Sequence, residues 1–304
     1  MTSKKRVLVV GGTGYLGQHV LHGFSEIEGI TATTPFGLAF THHPSPPPQA
    51  LLDAFPQLLH FHVTGHGFQA ISRTLAGSGF IPILHLCKIL YIFFFPDVVV
   101  NCAALSIPRA CEMDPAAAMS VNVPSSLVNW LSSFEESSSL LIHLSTDQVY
   151  EGVKSFYKED DETAPVNVYG KSKVAAEQFI TENFSNLAIL SSSIIFGPLT
   201  ISPVPKDSPS RIDGVPSKGN TSEFFHDEFR CPIYVKDVVA VILALSKRWI
   251  SDSKQTKVLL NVGGPDRVSR LQMAEIVADV RGYSPTLIKS VSASSVDRGV
   301  MSPA

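Results

Sequence analysis

Residues 6–22 constrain this chain more than any other stretch. Residues 6–10 form a short run of β-branched and apolar side chains, the composition of a strand buried on both faces. Gly11-x-x-Gly14-x-x-Gly17 follows at once, and residues 18–22 read as the helix after it. A glycine motif is informative only in this context of strand, turn and helix. Gly11 permits the tight turn, Gly14 lets the backbone approach a pyrophosphate, and Gly17 lets helix and strand pack closely. The amides that open the helix then face a phosphate, and the helix dipole favours its charge. A dinucleotide is the expected ligand, met by Gly11, Thr13, Gly14, Tyr15, Leu16 and Gly17.

The chain after this turn alternates strands and helices. A second strand is expected within residues 30–40 and ends in Phe40, Thr41, His42 and His43. The end of that strand is where a dinucleotide fold reads the adenosine ribose. An acid there favours NAD and a base favours a 2′-phosphate. Only His42 and His43 stand there, which leans toward NADP and leaves NAD open; no third ligand sits at a spacing that would make them a metal site. Residues 44–48 are a proline-rich connector. A third strand is expected at 58–63 and a short helix at 67–75. Residues 80–95 are almost continuously apolar but interrupted by Pro82 and Lys88. They are too short to cross a bilayer and have no polar face for a surface helix. They read as an insertion that the fold does not require.

The fourth strand, at 96–101, leads into Asn101, Cys102, Ala103 and Ala104, small residues that leave room for a cofactor at the strand end. Asp114 and Pro115 are the start of a helix expected to run to Phe134 with a kink at Pro124. Residues 141–146 form a strand that ends in Ser145 and Thr146. Tyr169 and Lys173 then lie four apart on a helix and so share a face. A phenol, an ammonium and a hydroxyl around one small volume can move a proton to or from a carbonyl oxygen. Further strands are expected at 187–194, 231–235 and 258–262. Helices are expected at 237–245 and from Ser269 to Val280, with a loop or lid at 199–221 between. The alternation predicts an α/β fold, a doubly wound parallel sheet of Rossmann type.

Composition narrows the class further. With 44% hydrophobic and 17% charged residues the balance is globular, and the net charge of −3 offers no basic field to nucleic acid. The four cysteines form no C-x-x-C pair, and the glycines interrupt the first apolar run. A reduced, cytoplasmic setting without membrane attachment is expected.

Taken together, Gly11-x-x-Gly14-x-x-Gly17, Asn101–Ala104, Ser145-Thr146-Asp147 and Tyr169-x-x-x-Lys173 resemble the extended short-chain dehydrogenase/reductase superfamily. Residues 145–152, 164–173, Glu177, 232–237 and 261–264 are similar to its branch of dTDP-4-dehydrorhamnose reductases and methionine adenosyltransferase β subunits. The resemblance implies that Tyr169 is the general acid and that Thr146 bonds the substrate carbonyl. Lys173 would lower the phenol's pKa and hold the nicotinamide ribose, with Asn101, Ala103, Ala104 and His42 also at the cofactor. It implies a reductase of a nucleotide-linked 4-keto-6-deoxysugar using NADP, with NAD possible, and a homodimer as a possible assembly. The alternatives are an NADP-binding partner of the methionine adenosyltransferase catalytic subunit, or an inactive truncated splice product. Val63, Thr64 and Gly65 stand where the family often carries an Asp, and Ser191 where it often carries an Arg. Residues 1–196 are expected to form the Rossmann domain and 197–304 a small, incomplete C-terminal substrate lobe, with 232–262 returning to the first domain. Relatives continue past residues 300–304, so the C-terminus is expected to be truncated.

Overall fold

The computed structural model describes residues 5–27, 36–42, 46–56, 58–63, 71–72, 95–133, 139–204, 221–252, 254–296 and 299–303. In chain order its first half runs β1 (Lys5–Val10), α1 (Tyr15–Glu26), β2 (Phe36–His42), α2 (Gln49–Ala54), β3 (Leu59–Val63), β4 (Ile71–Ser72), β5 (Val98–Asn101), α3 (Pro108–Met113), α4 (Pro115–Asn122) and α5 (Ser125–Ser132). The second half runs β6 (Leu140–Thr146), α6 (Val168–Asn183), β7 (Leu187–Ser192), β8 (Ile195–Phe196), β9 (Ser222–Phe225), β10 (Phe229–Arg230), β11 (Ile233–Tyr234), α7 (Val235–Asp252), β12 (Lys257–Val262), β13 (Val268–Ser269), α8 (Arg270–Arg281) and β14 (Ile288–Val291).

One sheet organises these elements, in the order β12-β7-β6-β5-β1-β2-β3-β4, and every pairing is parallel except β3 with β4. The apolar strands are buried because helices cover both faces. Val7, Val9, Phe40, Leu140 and Ile142 pack with Val20, Leu21 and Phe24 of α1 and with Val238, Ile242 and Trp249 of α7. Leu8, Val10, Val99 and Leu141 face the other way, onto Leu127, Val128 and Leu131 of α5 and Ile180 of α6. The alternation of Val7 and Val9 against Leu8 and Val10 is the two-residue period of a strand feeding two layers. Each fully buried side chain of this size contributes roughly 1.5–3 kcal/mol.

Strand order reverses between β1 and β5, which lie side by side while the chain between them crosses to the opposite edge. Their carboxyl ends therefore open a crevice, the place where α/β sheets bind ligands. Outside the sheet, the parallel pair of β9 with β14 and the antiparallel pair of β10 with β13 form a smaller layer. It packs Phe224, Tyr283 and Ile288 on Ala274 and Ala278 of α8. That helix opens with a capping box between Ser269 and Gln272. Residues 299–303 run back to the sheet domain, where Met301 O accepts from Asn167 Nδ2 at 3.0 Å.

Two local expectations are corrected. Residues 71 and 72 pair with β3 as an antiparallel strand, so no helix spans 67–75; the rest of that span lies outside the described residues. The helix expected over 115–134 is two helices, α4 and α5. Val123 adopts φ −85° and ψ 107° ahead of Pro124, because proline disfavours helical backbone in the residue before it. The apolar run of 80–95, except Phe95, lies outside the described residues, as do His43 and most of the expected lid, residues 205–220.

Candidate active site

The glycine turn is built as a close contact between backbones. Gly11 has φ +77°, and a Cβ there would stand 3.0 Å from the backbone of Ala103 across the crevice. A Cβ at Gly17 would stand 2.2 Å from Gly11 O. The turn is tied down by Gly11 N donating to Thr41 Oγ1 and Gly12 N donating to Thr41 O, both at 3.0 Å. Gly14 precedes α1, and no side chain caps that helix. The first amides of α1 therefore carry the partial positive charge that suits a phosphate. These features fit a dinucleotide: a cradle that side chains would fill, at the sheet's switch point, under an uncapped helix start.

Around that turn, Tyr15 Oη donates to Pro198 O at 3.3 Å and Gln18 Nε2 donates to Thr13 O and Ser202 O, each at 3.0 Å. The segment after β8 is thus clamped over the start of α1. Leu16 packs at the edge of the core. His42 is buried at the end of β2 and stacks at a tilt on His60, with ring centroids 5.6 Å apart.

Tyr169, Lys173 and Glu177 occupy successive turns along one face of α6. That helix starts at Asn167, whose Oδ1 accepts from Gly170 N at 2.8 Å. Tyr169 is buried against Leu105 and Cys111, on the segment leaving β5, and its phenol lies beside Thr146, whose Oγ1 donates to Asp147 Oδ1 at 3.2 Å. Lys173 Nζ donates to Leu144 O at 2.6 Å and lies 3.1 Å from His143 Nε2. His143 Nδ1 lies 3.0 Å from Asn101 Nδ2, and Asn101 Oδ1 accepts from Ala103 N at 3.2 Å. Glu177 Oε1 accepts from Ser145 Oγ and, at 3.1 Å, from Ser191 Oγ.

Burial dominates the electrostatics. It pulls the Lys173 ammonium down to about 8, opposed by the nearby Glu177 and Cys102. It holds His143 well below its ordinary value, helped by the charge on Lys173. It raises Glu177, against the bonds from the two serines. It also raises the Tyr169 phenol, only partly offset by Thr146. The direction at Tyr169 is opposite to the lowering expected from Lys173, because desolvation outweighs every stabiliser of the phenolate within reach.

Tyr169 thus lies beside Thr146, and Lys173, one turn on, lies beside His143 and Leu144 of β6, which pairs with the strand that ends at Asn101. Asn101 turns its side chain inward, to His143 and Ala103, and Ala103 abuts Gly11. Ala104 continues the same segment, between Ala103 and the Leu105 that packs on Tyr169. His143, Ser145 and Ser191 were not singled out as site residues from sequence. The available signal was periodic: polar residues at 143 and 145 share a strand face, and Lys173 and Glu177 share a helix face. Among the described residues, no cluster of His, Cys, Asp and Glu could hold a metal ion, and no helix is long and apolar enough to cross a membrane.

Residues 90–304 match the family described as RmlD substrate binding domain. The chain belongs to this family. It is 27% identical over 281 residues to the methionine adenosyltransferase 2 subunit beta of Xenopus tropicalis, covering 90% of this chain and 72% of that protein. It is 28% identical over 210 residues to a probable low-salt glycan biosynthesis reductase, Agl14, of Haloferax volcanii, covering 68% of this chain and 67% of that protein. Among solved structures, dTDP-4-dehydrorhamnose reductase from Bacillus anthracis in complex with NADP superposes with a TM-score of 0.69 at 17% identity. That match covers 99% of this chain and 89% of the reductase, and confirms the Rossmann-like α/β fold.

Proposed function

We propose that this RmlD-family chain is an NAD(P)H-dependent reductase of a nucleotide-linked 4-keto-6-deoxysugar. The observation that supports the reading is Tyr169 beside Thr146, with Lys173 on the next turn of α6 and its Nζ on Leu144 O near the carboxyl end of β6, the strand next to β5. The turn at 11–17 and the start of α1 would hold the pyrophosphate, and Lys173 the nicotinamide ribose. His42, with no acidic residue in β2, favours NADP over NAD. The reduced nicotinamide supplies hydride. Thr146 orients the substrate carbonyl, and Tyr169 Oη gives its proton to the carbonyl oxygen. A phenol kept protonated by burial is suited to that direction of transfer. A cavity of about 260 Å³ lies beyond Asp147, walled by the stacked rings of Tyr150 and Tyr157 and by Arg267. It offers aromatic and cationic surface for the nucleotide part of the substrate. Residues 1–196 would serve as the cofactor domain and 197–304 as the substrate lobe, with 232–262 returning to the sheet domain, in a cytoplasmic protein.

The test is a thermal shift of the full chain with NADPH and with NADH, followed by turnover on dTDP- and UDP-linked 4-keto-6-deoxyhexoses. A larger shift with NADPH and oxidation of the nucleotide by one of these sugars is expected. A shift without turnover on any of them sinks the reductase reading. The similarity to the methionine adenosyltransferase β subunit over 90% of the chain favours a second reading, an NADP-loaded partner of that enzyme's catalytic subunit. Co-purification of the two, undiminished in Tyr169→Phe, would support it.

A further inference from the structure

Glu177 is a buried carboxyl that the proposed reaction does not use. It stands one turn beyond Lys173, on the same face of α6. Beneath it, Ser145 of β6 and Ser191 of β7 are partners across the sheet. Each hydroxyl has one proton, and both spend it on Glu177 Oε1, Ser191 Oγ from 3.1 Å. Two donors converging on one oxygen favour the carboxylate and oppose the burial that raises this carboxyl. Tyr150, also near Glu177, is kept a neutral phenol by burial. Strand β6 thus meets α6 with three successive residues: Leu144 O accepts from Lys173 Nζ at 2.6 Å, Ser145 holds Glu177, and Thr146 lies beside Tyr169.

An ammonium out of water is costly unless an opposite charge faces it. The ionisable groups facing Lys173 are Tyr169 and Glu177 on α6, His143 on β6 and Cys102 just past β5. Burial raises the Tyr169 phenol and pushes the Cys102 thiol up to about 12, so both keep their protons near neutral pH. His143 is fully buried and held neutral, and the charge on Lys173 adds to that effect. Of these four groups, Glu177 alone can be negative there.

We propose that Glu177 is a positioning residue: fixed by Ser145 and Ser191, its carboxylate keeps Lys173 an ammonium inside the site. The proposal rests on reading Lys173 as the partner of Tyr169 and the holder of the nicotinamide ribose. Burial draws the lysine down to about 8 with Glu177 opposing that fall. Without the carboxylate the proton is lost closer to neutral pH, and the ammonium offered to the ribose is lost with it.

The test is nuclear magnetic resonance of the full chain labelled with ¹³Cε-lysine and ¹³Cδ-glutamate. Signals are assigned by their loss in Lys173→Met and in Glu177→Asp. Glu177→Gln keeps the shape and an oxygen that accepts from both serines, so it removes the charge and spares the fold. In Glu177→Gln the titration of Lys173 should fall to lower pH by about one unit or more, a tenfold or greater loss of proton affinity. Glu177→Asp keeps the charge and should restore most of it. The alkaline fall in NADPH affinity should move down with the lysine in Glu177→Gln, which a merely structural contact between α6 and the sheet would not cause. In the wild type the Glu177 carboxyl should be ionised near neutral pH. An unchanged Lys173 titration in Glu177→Gln, or a wild-type Glu177 protonated near neutral pH, overturns the proposal, and the second readout stands even where Glu177→Gln does not fold. A shifted lysine in a chain without reductase turnover keeps this inference and loses the catalytic reading.

Discussion

Replacing Gly17 by alanine tests whether the turn at 11–17 is built for a phosphate. The new Cβ would stand 2.2 Å from Gly11 O, 2.8 Å from Gly12 Cα and 3.0 Å from Gly11 C. All three are backbone atoms of the turn, so no side chain can rotate away. Either α1 moves outward by about 1 Å or the turn opens, and overpacking of this kind costs about 3 kcal/mol at the upper end of its range. Alanine returns about 1 kcal/mol of helix propensity. The net loss is about 2 kcal/mol, or roughly 4 °C in melting temperature for a chain of this size. The stabilisation by NADPH should fall as well, because the displaced atoms carry the amides that face the phosphate. Gly23→Ala is the control. Its Cβ meets Val239 Cγ1 at 2.4 Å and Leu243 Cδ1 at 3.5 Å, side-chain atoms of α7 far from the turn. That variant should lose stability and keep its affinity for NADPH. Thermal melts and NADPH titrations of both variants decide the matter. A Gly17→Ala protein with wild-type melting temperature and wild-type NADPH affinity refutes the reasoning.

Three further predictions concern charge and clamping. Lys173 is pulled from 10.5 to about 8 in the folded protein, so between those values the unfolded chain holds one more proton and stability rises with pH. Relative to Lys173→Met, the wild type should gain about 3 kcal/mol across that window in urea denaturation; a flat difference contradicts the burial of the lysine. Glu228 is buried between Arg270 Nε at 3.0 Å and Arg230 Nη2 at 3.5 Å, and Glu228→Ala should cost about 3 kcal/mol, seen as a lower urea midpoint with an unchanged slope. Gln18 Oε1 accepts from Ser202 N at 2.9 Å, so Gln18→Ala should speed hydrogen exchange at Ser202 while amides of β1 and β5 stay protected; equal exchange at Ser202 would show that the clamp holds nothing.

The parts legible in sequence were those whose signal is local. The glycine turn at 11–17 sits between an apolar strand and a helix, and Tyr169 and Lys173 meet because four residues make one turn of α6. Pro124 was read as a kink, yet its effect on Val123 divides the span into α4 and α5. The strand at 71–72 has no local signature, since its pairing with β3 is a tertiary contact. His143 was hidden for a different reason. The shared face of His143 and Ser145 in β6 marks a polar side but not its partners, which are Asn101 on the neighbouring strand and Lys173 on the covering helix. The rise at Tyr169 was equally invisible: spacing places a lysine near a phenol, but how dry the pocket is decides which way the phenol shifts.

The direct measurement of the central claim is NADPH oxidation by the full chain on a nucleotide-linked 4-keto-6-deoxyhexose, wild type against Tyr169→Phe, with NADPH affinity measured on the same samples. The expected result is equal affinity for NADPH and a loss of turnover of about a hundredfold or more in the variant, the share of a positioned general acid. Equal turnover by the two proteins, with NADPH bound by both, would contradict the account.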